Sequence, residues 1–214
     1  MTAFDAARPL LESHGFRVRG KIFNRVTLDS LTQVVGFQSG RGDSPGKRLV
    51  PGFRKDLRDH YTVNLGVYVP EVARYLLGEE FDGWIREYHC CVRARLGELT
   101  ADRRDLWWPV DGVKGGEEVL RLLENVAIPF LENLRTRDDL LAYGETDPEP
   151  LAASASPRVV SAILRAERGE SEFAAELLAS EWRQAANDGQ RASLRELASS
   201  LGLSVPGPPG SKEG

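Results

Sequence analysis

The stretch YTVNLGVYV at residues 61–69 decides the fold class. Val63, Leu65, Val67 and Val69 fall on one side of it and Thr62, Asn64 and Gly66 on the other. That period of two belongs to a strand with one buried face. Pro70 follows at once and Gly78 eight residues later, framing a short helix, because proline suits a first helical position and glycine the position just past the end. Upstream, residues 16–25 alternate as well, with Phe16, Val18 and Ile22 on an apolar face and Arg17, Arg19 and Lys21 on a polar one. Residues 31–39 turn Val35 and Phe37 inward and Gln38 outward, and the Asp29-Ser30 turn between the two runs predicts a hairpin. Downstream, residues 87–96 separate Val92, Ala94 and Leu96 from Cys91, Arg93 and Arg95.

Helical spacing governs the rest of the chain. Residues 5–14 read as a short helix capped by Asp5 and ended by Gly15. The surest helix spans 116–134, where Val119, Leu120, Leu123, Val126, Ala127, Leu131 and Leu134 recur at i, i+3 and i+4, with a kink predicted at Pro129. Thr136 caps a further helix over 137–143, and GETDPEPLAASASP at 144–157 has a linker's composition. Three helices follow, with apolar stripes too thin for a core of their own, so they are expected to dock on the front of the chain. The expected fold is α+β: a mainly antiparallel four-stranded sheet packed with helices, plus a small C-terminal helical appendage. The divisions are an α+β domain at 1–143, a linker at 144–157, the appendage at 158–203 and a disordered tail at 204–214.

Composition excludes several function classes. No apolar run approaches the roughly 18 residues of a membrane span, and the N-terminus has neither the basic start nor the apolar core of a secretory signal, so a cytoplasmic location is expected. The two cysteines, Cys90 and Cys91, are adjacent, so no disulfide framework is possible. His89 precedes them, but zinc needs four converging ligands and the other histidines, His14 and His60, are distant in sequence; no metal and no cofactor are expected. The net charge of −4 disfavours generic nucleic-acid binding. It conceals an asymmetry, since residues 1–60 hold 11 Lys and Arg against 6 Asp and Glu, while 144–214 hold 7 against 11.

Motif-like strings fail on inspection. Residues 40–47 lack the first glycine and the final Ser or Thr of a phosphate-binding loop. Residues 194–204 resemble the first helix of a helix-turn-helix, but prolines follow where the reading helix should be. No G-x-S-x-G nucleophile elbow occurs, and no catalytic residue is assigned.

What remains is a face. With the apolar sides of the strands together, the opposite side carries Arg17, Arg19, Lys21, Gln38, Asn64, Arg93 and Arg95, planar and cationic donors suited to carboxylate or phosphate. Trp107 and Trp108, extended before Pro109, supply a wall or stacking platform. The candidate ligand-binding set is therefore Arg93, Arg95, Asn64, Gln38, Arg19, Trp107 and Trp108. The expected role is a non-catalytic binding module for a protein or an anionic ligand. An enzyme acting on an anionic small molecule through the arginines, with His60 or His89 as acid or base, is the alternative. The acidic C-terminal stretch competes for the same face.

Several segments, taken in order, resemble one bacterial family: GFRVRGKIFNRV from Gly15, QVVGFQ from Gln33, YTVNLGVYVP from Tyr61, CVRARLGEL from Cys91, LWWPVD from Leu106 and AIPFLENL from Ala127. The family is a domain of unknown function, DUF4304. The resemblance implies a small α+β domain and carries no established activity or catalytic residues.

Overall fold

The computed structural model describes residues 2–40, 57–111, 113–146 and 155–204, with the side chains of 113 and 114 left aside. The expectations for 41–56, for most of the linker and for the tail beyond 204 lie outside these residues.

The first helix, α1 (Ala3–Ser13), starts three residues earlier than the Asp5 cap implies. Thr2 is the cap: its Oγ1 accepts the Asp5 N–H, and the Asp5 carboxylate accepts the Thr2 N–H. Strands β1 (Arg17–Arg19) and β2 (Ile22–Val26) divide what reads as one strand. Gly20, at φ 61°, opens a two-residue turn between them. β3 (Thr32–Ser39) and β4 (His60–Tyr68) are the long central pair. After α2 (Pro70–Leu77) come β5 (Val92–Arg95) and the two-residue β6 (Trp108–Pro109). The sheet is antiparallel throughout in the order β1-β2-β3-β4-β5, and β6 pairs with β4 beyond the end of β5.

The long helix contains α3 (Val113–Leu122), a π-helical stretch (Leu123–Ala127) and α4 (Ile128–Glu132). Pro129 has no N–H to continue the ladder, and the wide turn just ahead of it, where the Ile128 N–H reaches Leu123 O, absorbs the interruption. α5 (Arg137–Glu145), capped by Thr136, is followed by α6 (Pro157–Glu167), α7 (Ser171–Gln184) and α8 (Asp188–Ser200). Among the described residues no helix is long and apolar enough to cross a membrane.

One core runs through all of this. Phe23, Val35, Leu65 and Ala94 share the sheet's helix-facing side with Leu11 of α1, Leu123 and Leu131 of the long helix, Ile163 of α6, Leu178 of α7 and Leu197 of α8. Buried Gln33 latches the helix end to the sheet: its Nε2 donates to Leu131 O and Leu134 O, while Arg25 donates to its Oε1. Glu71 and Arg137 join α2 to α5 as a forked pair at 2.5 and 2.9 Å.

The opposite face is half covered. A strap, residues 78–91, lays Ile85 and Cys90 on Val34 and Tyr68 as a small second cluster. Asn24 clasps it, with Nδ2 donating to Ile85 O and Oδ1 accepting the Ile85 N–H, both at 2.9 Å. Gly66 makes room, since a Cβ there would stand 2.6 Å from Cys90 Sγ.

Candidate functional site

Register places the polar residues in transverse rows. Arg19, Ile22, Gly36, Asn64 and Arg95 face one another across five strands. Four strand spacings make that row about 19 Å long. Arg17, Asn24, Val34, Gly66 and Arg93 form the next row, and the strap lies over its centre. Gln38 stands outside both rows, exposed, and accepts a hydrogen bond from Asn64 Nδ2 at 2.7 Å.

At the β5 end the cation is engaged. Arg95 pairs with Asp105 at 2.5 Å and lies over the Trp107 ring at 5.4 Å, and the Trp107 indole N–H donates to the same carboxylate at 3.1 Å. Glu87, carried by the strap, brings its carboxylate to 3.7 Å from where a Gly36 Cβ would be, so an acid of the chain itself sits over the middle of the first row. At the β1 end, Arg17 and Arg19 are exposed, and their side chains have no hydrogen-bond or ion-pair partner among the described residues.

Of the sequence-derived set, the structure brings Gln38, Asn64, Arg95 and Trp107 together, with Arg93 beside them and Arg19 at the far end of the row. Trp108 is on the other side of the sheet. It is 4% exposed, packs at 6.0 Å on Tyr61 and donates its indole N–H to Glu118 at 3.0 Å. Neighbouring residues of an extended segment point to opposite faces, so the two tryptophans cannot form one platform. Lys21 also leaves the face: the Gly20 turn carries it round, and its Nζ donates to Ser39 Oγ at 2.9 Å. Asp105 lies in an aperiodic segment and has no sequence signal; Glu87 falls in the strand expected over 87–96, but that strand begins only at Val92 and Glu87 instead opens a 3-10 turn (Glu87–His89) in the strap. No hydrogen bond or ion pair joins the described residues after 154 to Arg17, Arg19, Gln38, Asn64 or Arg95; Glu167 instead meets Arg74 and Tyr75 of α2.

Two histidines and both thiols are engaged within the chain. His89 stacks on Phe81 at 3.8 Å, its Nδ1 accepts the Arg86 N–H, and burial holds its pKa below the usual value. His60 Nδ1 donates to Arg58 O at 2.8 Å. Burial pushes both thiols up, Cys91 to about 12, so each is a protonated apolar filler. Among the described residues no group of three or more His, Cys, Asp or Glu is placed to hold a metal ion.

Comparison with known proteins gives one result. Residues 52–133 match the family model described as Domain of unknown function (DUF4304). That segment is similar to the DUF4304 family. The DUF4304 match takes in β4, α2, the strap, β5, β6 and the long helix, and therefore the Asn64, Arg93, Arg95 and Trp107 part of the polar face. β1–β3, which bring Arg17, Arg19 and Gln38 to it, and α5–α8 lie outside the matched DUF4304 segment. No curated protein and no solved structure matches the chain.

Proposed function

We propose that the chain is a non-catalytic, cytoplasmic binding module of a bacterium, and that its polar sheet face takes an acidic segment of a partner protein. The observation that carries this reading is the pair Arg17 and Arg19, exposed on the edge strand with no side-chain partner among the described residues, at the end of a row that runs through Asn64 to Arg95. Edge-strand charge by itself guards against aggregation. Here it shares a face with Gln38 and with an arginine stacked on an exposed-edge tryptophan, an arrangement typical of recognition surfaces. The buried, protonated thiols support a role without covalent thiol chemistry.

Exposed ion pairs contribute only about 0.2–1 kcal/mol each, so the association is salt-sensitive and reversible. The test is capture from a lysate of the native host on immobilised chain, compared with Arg17→Ala/Arg19→Ala. The reading expects an acidic protein that is retained by the wild type, lost from the double variant and released by added salt, with melting temperatures equal. Identical retention by the double variant would show that the face is not the binding surface.

A further inference from the structure

The helical pair α6–α7 has an open groove of about 710 Å³ along it. Arg158 and Arg165 of α6 stand on one side, and Phe173, Glu176, Leu177 and Arg183 of α7 on the other. The α7 wall is built on one stripe. Glu176 and Arg183 are seven residues apart, close to two turns, so they point the same way about 10.5 Å from each other along the axis. Ala179, which also lines the groove, and its neighbour Ser180 lie midway between them. Phe173, one turn before Glu176, is 60% exposed, and Leu177 is half-buried.

The charges on the two walls differ in how they are satisfied. Arg165 is held from two directions, by Glu145 and by Glu170, and Arg158 reaches Glu181 at 3.6 Å. Glu176 and Arg183 are exposed, and neither side chain has a hydrogen-bond or ion-pair partner among the described residues. They are too far apart to pair with each other, since only residues three and four apart are neighbours on a helix.

An acid and a base placed in this way are self-complementary. When two copies of a helix pack antiparallel about a twofold axis, residue i of one meets residue j of the other, and j meets i. With the axis between Ala179 and Ser180, Glu176 faces Arg183 of the partner subunit and Arg183 faces Glu176 of the partner subunit. The small side chains then stand at the crossing, where they let the helix axes approach to about 8 Å. A parallel pairing would set like charges against each other, and a purely acidic or purely basic partner would satisfy only one of the two groups.

We infer that this groove is a homodimer interface, in which α7 lies antiparallel to α7 of a second copy, Glu176 and Arg183 form two symmetry-related ion pairs, and Phe173 and Leu177 of each copy are covered by the other. One helix pair is at the small end of specific interfaces, so the dimer forms and dissociates with concentration. None of these residues belongs to the polar sheet face, and the inference stands or falls separately from partner binding there.

The test is sedimentation equilibrium of the full chain at concentrations from about 1 μM to about 1 mM. The wild type should pass from monomer to dimer across this range. Glu176→Arg sets arginine against arginine and Arg183→Glu sets glutamate against glutamate, so each change alone should weaken dimerisation about tenfold, as two attractive exposed pairs become repulsive. The double exchange Glu176→Arg/Arg183→Glu should recover it. An equimolar mixture of the two single variants should also dimerise, because each supplies the charges that the other lacks. Thermal melts at the lowest concentration separate lost association from damage to the fold, since both side chains are exposed and bond to nothing in the monomer. A chain that stays monomeric throughout, as it would if another protein or another segment of this chain filled the groove, would overturn the inference. So would a dimer indifferent to both single changes, or a double exchange and a mixture no stronger than the single variants.

Discussion

Replacing Asn24 by alanine tests how the strap is held and what it hides. The Asn24 side chain makes three hydrogen bonds: Nδ2 to Ile85 O at 2.9 Å and to Phe23 O at 3.0 Å, and Oδ1 from the Ile85 N–H at 2.9 Å. Both Asn24 and Ile85 are buried, so Asn24→Ala strands the Ile85 N–H and C=O away from water. Each stranded group costs about 1–3 kcal/mol. The strap has an escape, which is to lift and hydrate those groups, at the loss of Ile85 burial worth about 2–3 kcal/mol. The cheaper route sets the answer, and Asn24→Ala should destabilise the chain by about 2–3 kcal/mol. Urea unfolding followed by tryptophan fluorescence reads this as a lower midpoint with little change in slope. Hydrogen exchange reads the mechanism: the Ile85 amide, protected in the wild type, should exchange far faster in the variant, together with its strap neighbours. A loss below about 0.5 kcal/mol with Ile85 still protected would refute the clasp.

Other consequences can be checked in parallel. Arg137→Ala removes both arms of the fork on Glu71, whose side chain is only 10% exposed, and leaves that carboxylate buried and unpaired; urea unfolding should show a loss of about 3 kcal/mol, and a near-neutral result would mean that α2 and α5 are held by packing alone. For Glu132, burial raises the carboxyl pKa, but the hydrogen-bonded Arg25 guanidinium at 2.6 Å, with Arg135, outweighs it and holds the group below its ordinary value of 4.5. Its contribution is therefore complete above that value and lost as the pH falls through the lower folded value, so melting temperature should drop on acidification below about pH 4.5 and drop less in Glu132→Gln. Cys90 and Cys91 should resist a thiol-specific reagent in the native chain and both react once urea unfolds it; rapid native labelling would show that the strap opens readily.

The legible parts of the fold were those governed by short-range periodicity. β4 lies close to where the alternation puts it but is buried on both faces rather than one, and the long helix carries its apolar stripe on the side that meets the core, close to where the pattern puts it. The turn at Gly20 was hidden by arithmetic. A two-residue reversal preserves the every-other-residue look of Arg17, Arg19 and Lys21, yet it sends Lys21 to the other side of the sheet, and Ile22 changes faces with it. Trp107 and Trp108 could have been separated from sequence alone, since adjacency in an extended segment already forbids a shared face. Glu87 and Asp105 could not. Their carboxylates reach the polar face from the 3-10 turn Glu87–His89 and from the loop ahead of β6, and where each acid lands depends on the path of those segments through space.

The central claim, that the polar sheet face receives an acidic partner, is tested most directly by photo-crosslinking from a single position in the native host. A photoreactive residue at position 38 lies beside the row from Arg19 to Arg95, while one at position 124 is exposed on the long helix across the molecule. The account predicts a crosslinked acidic protein from position 38 that disappears when Arg17 and Arg19 are both alanine, and none from position 124. Crosslinking of the same protein from both positions, or from position 124 alone, would contradict it.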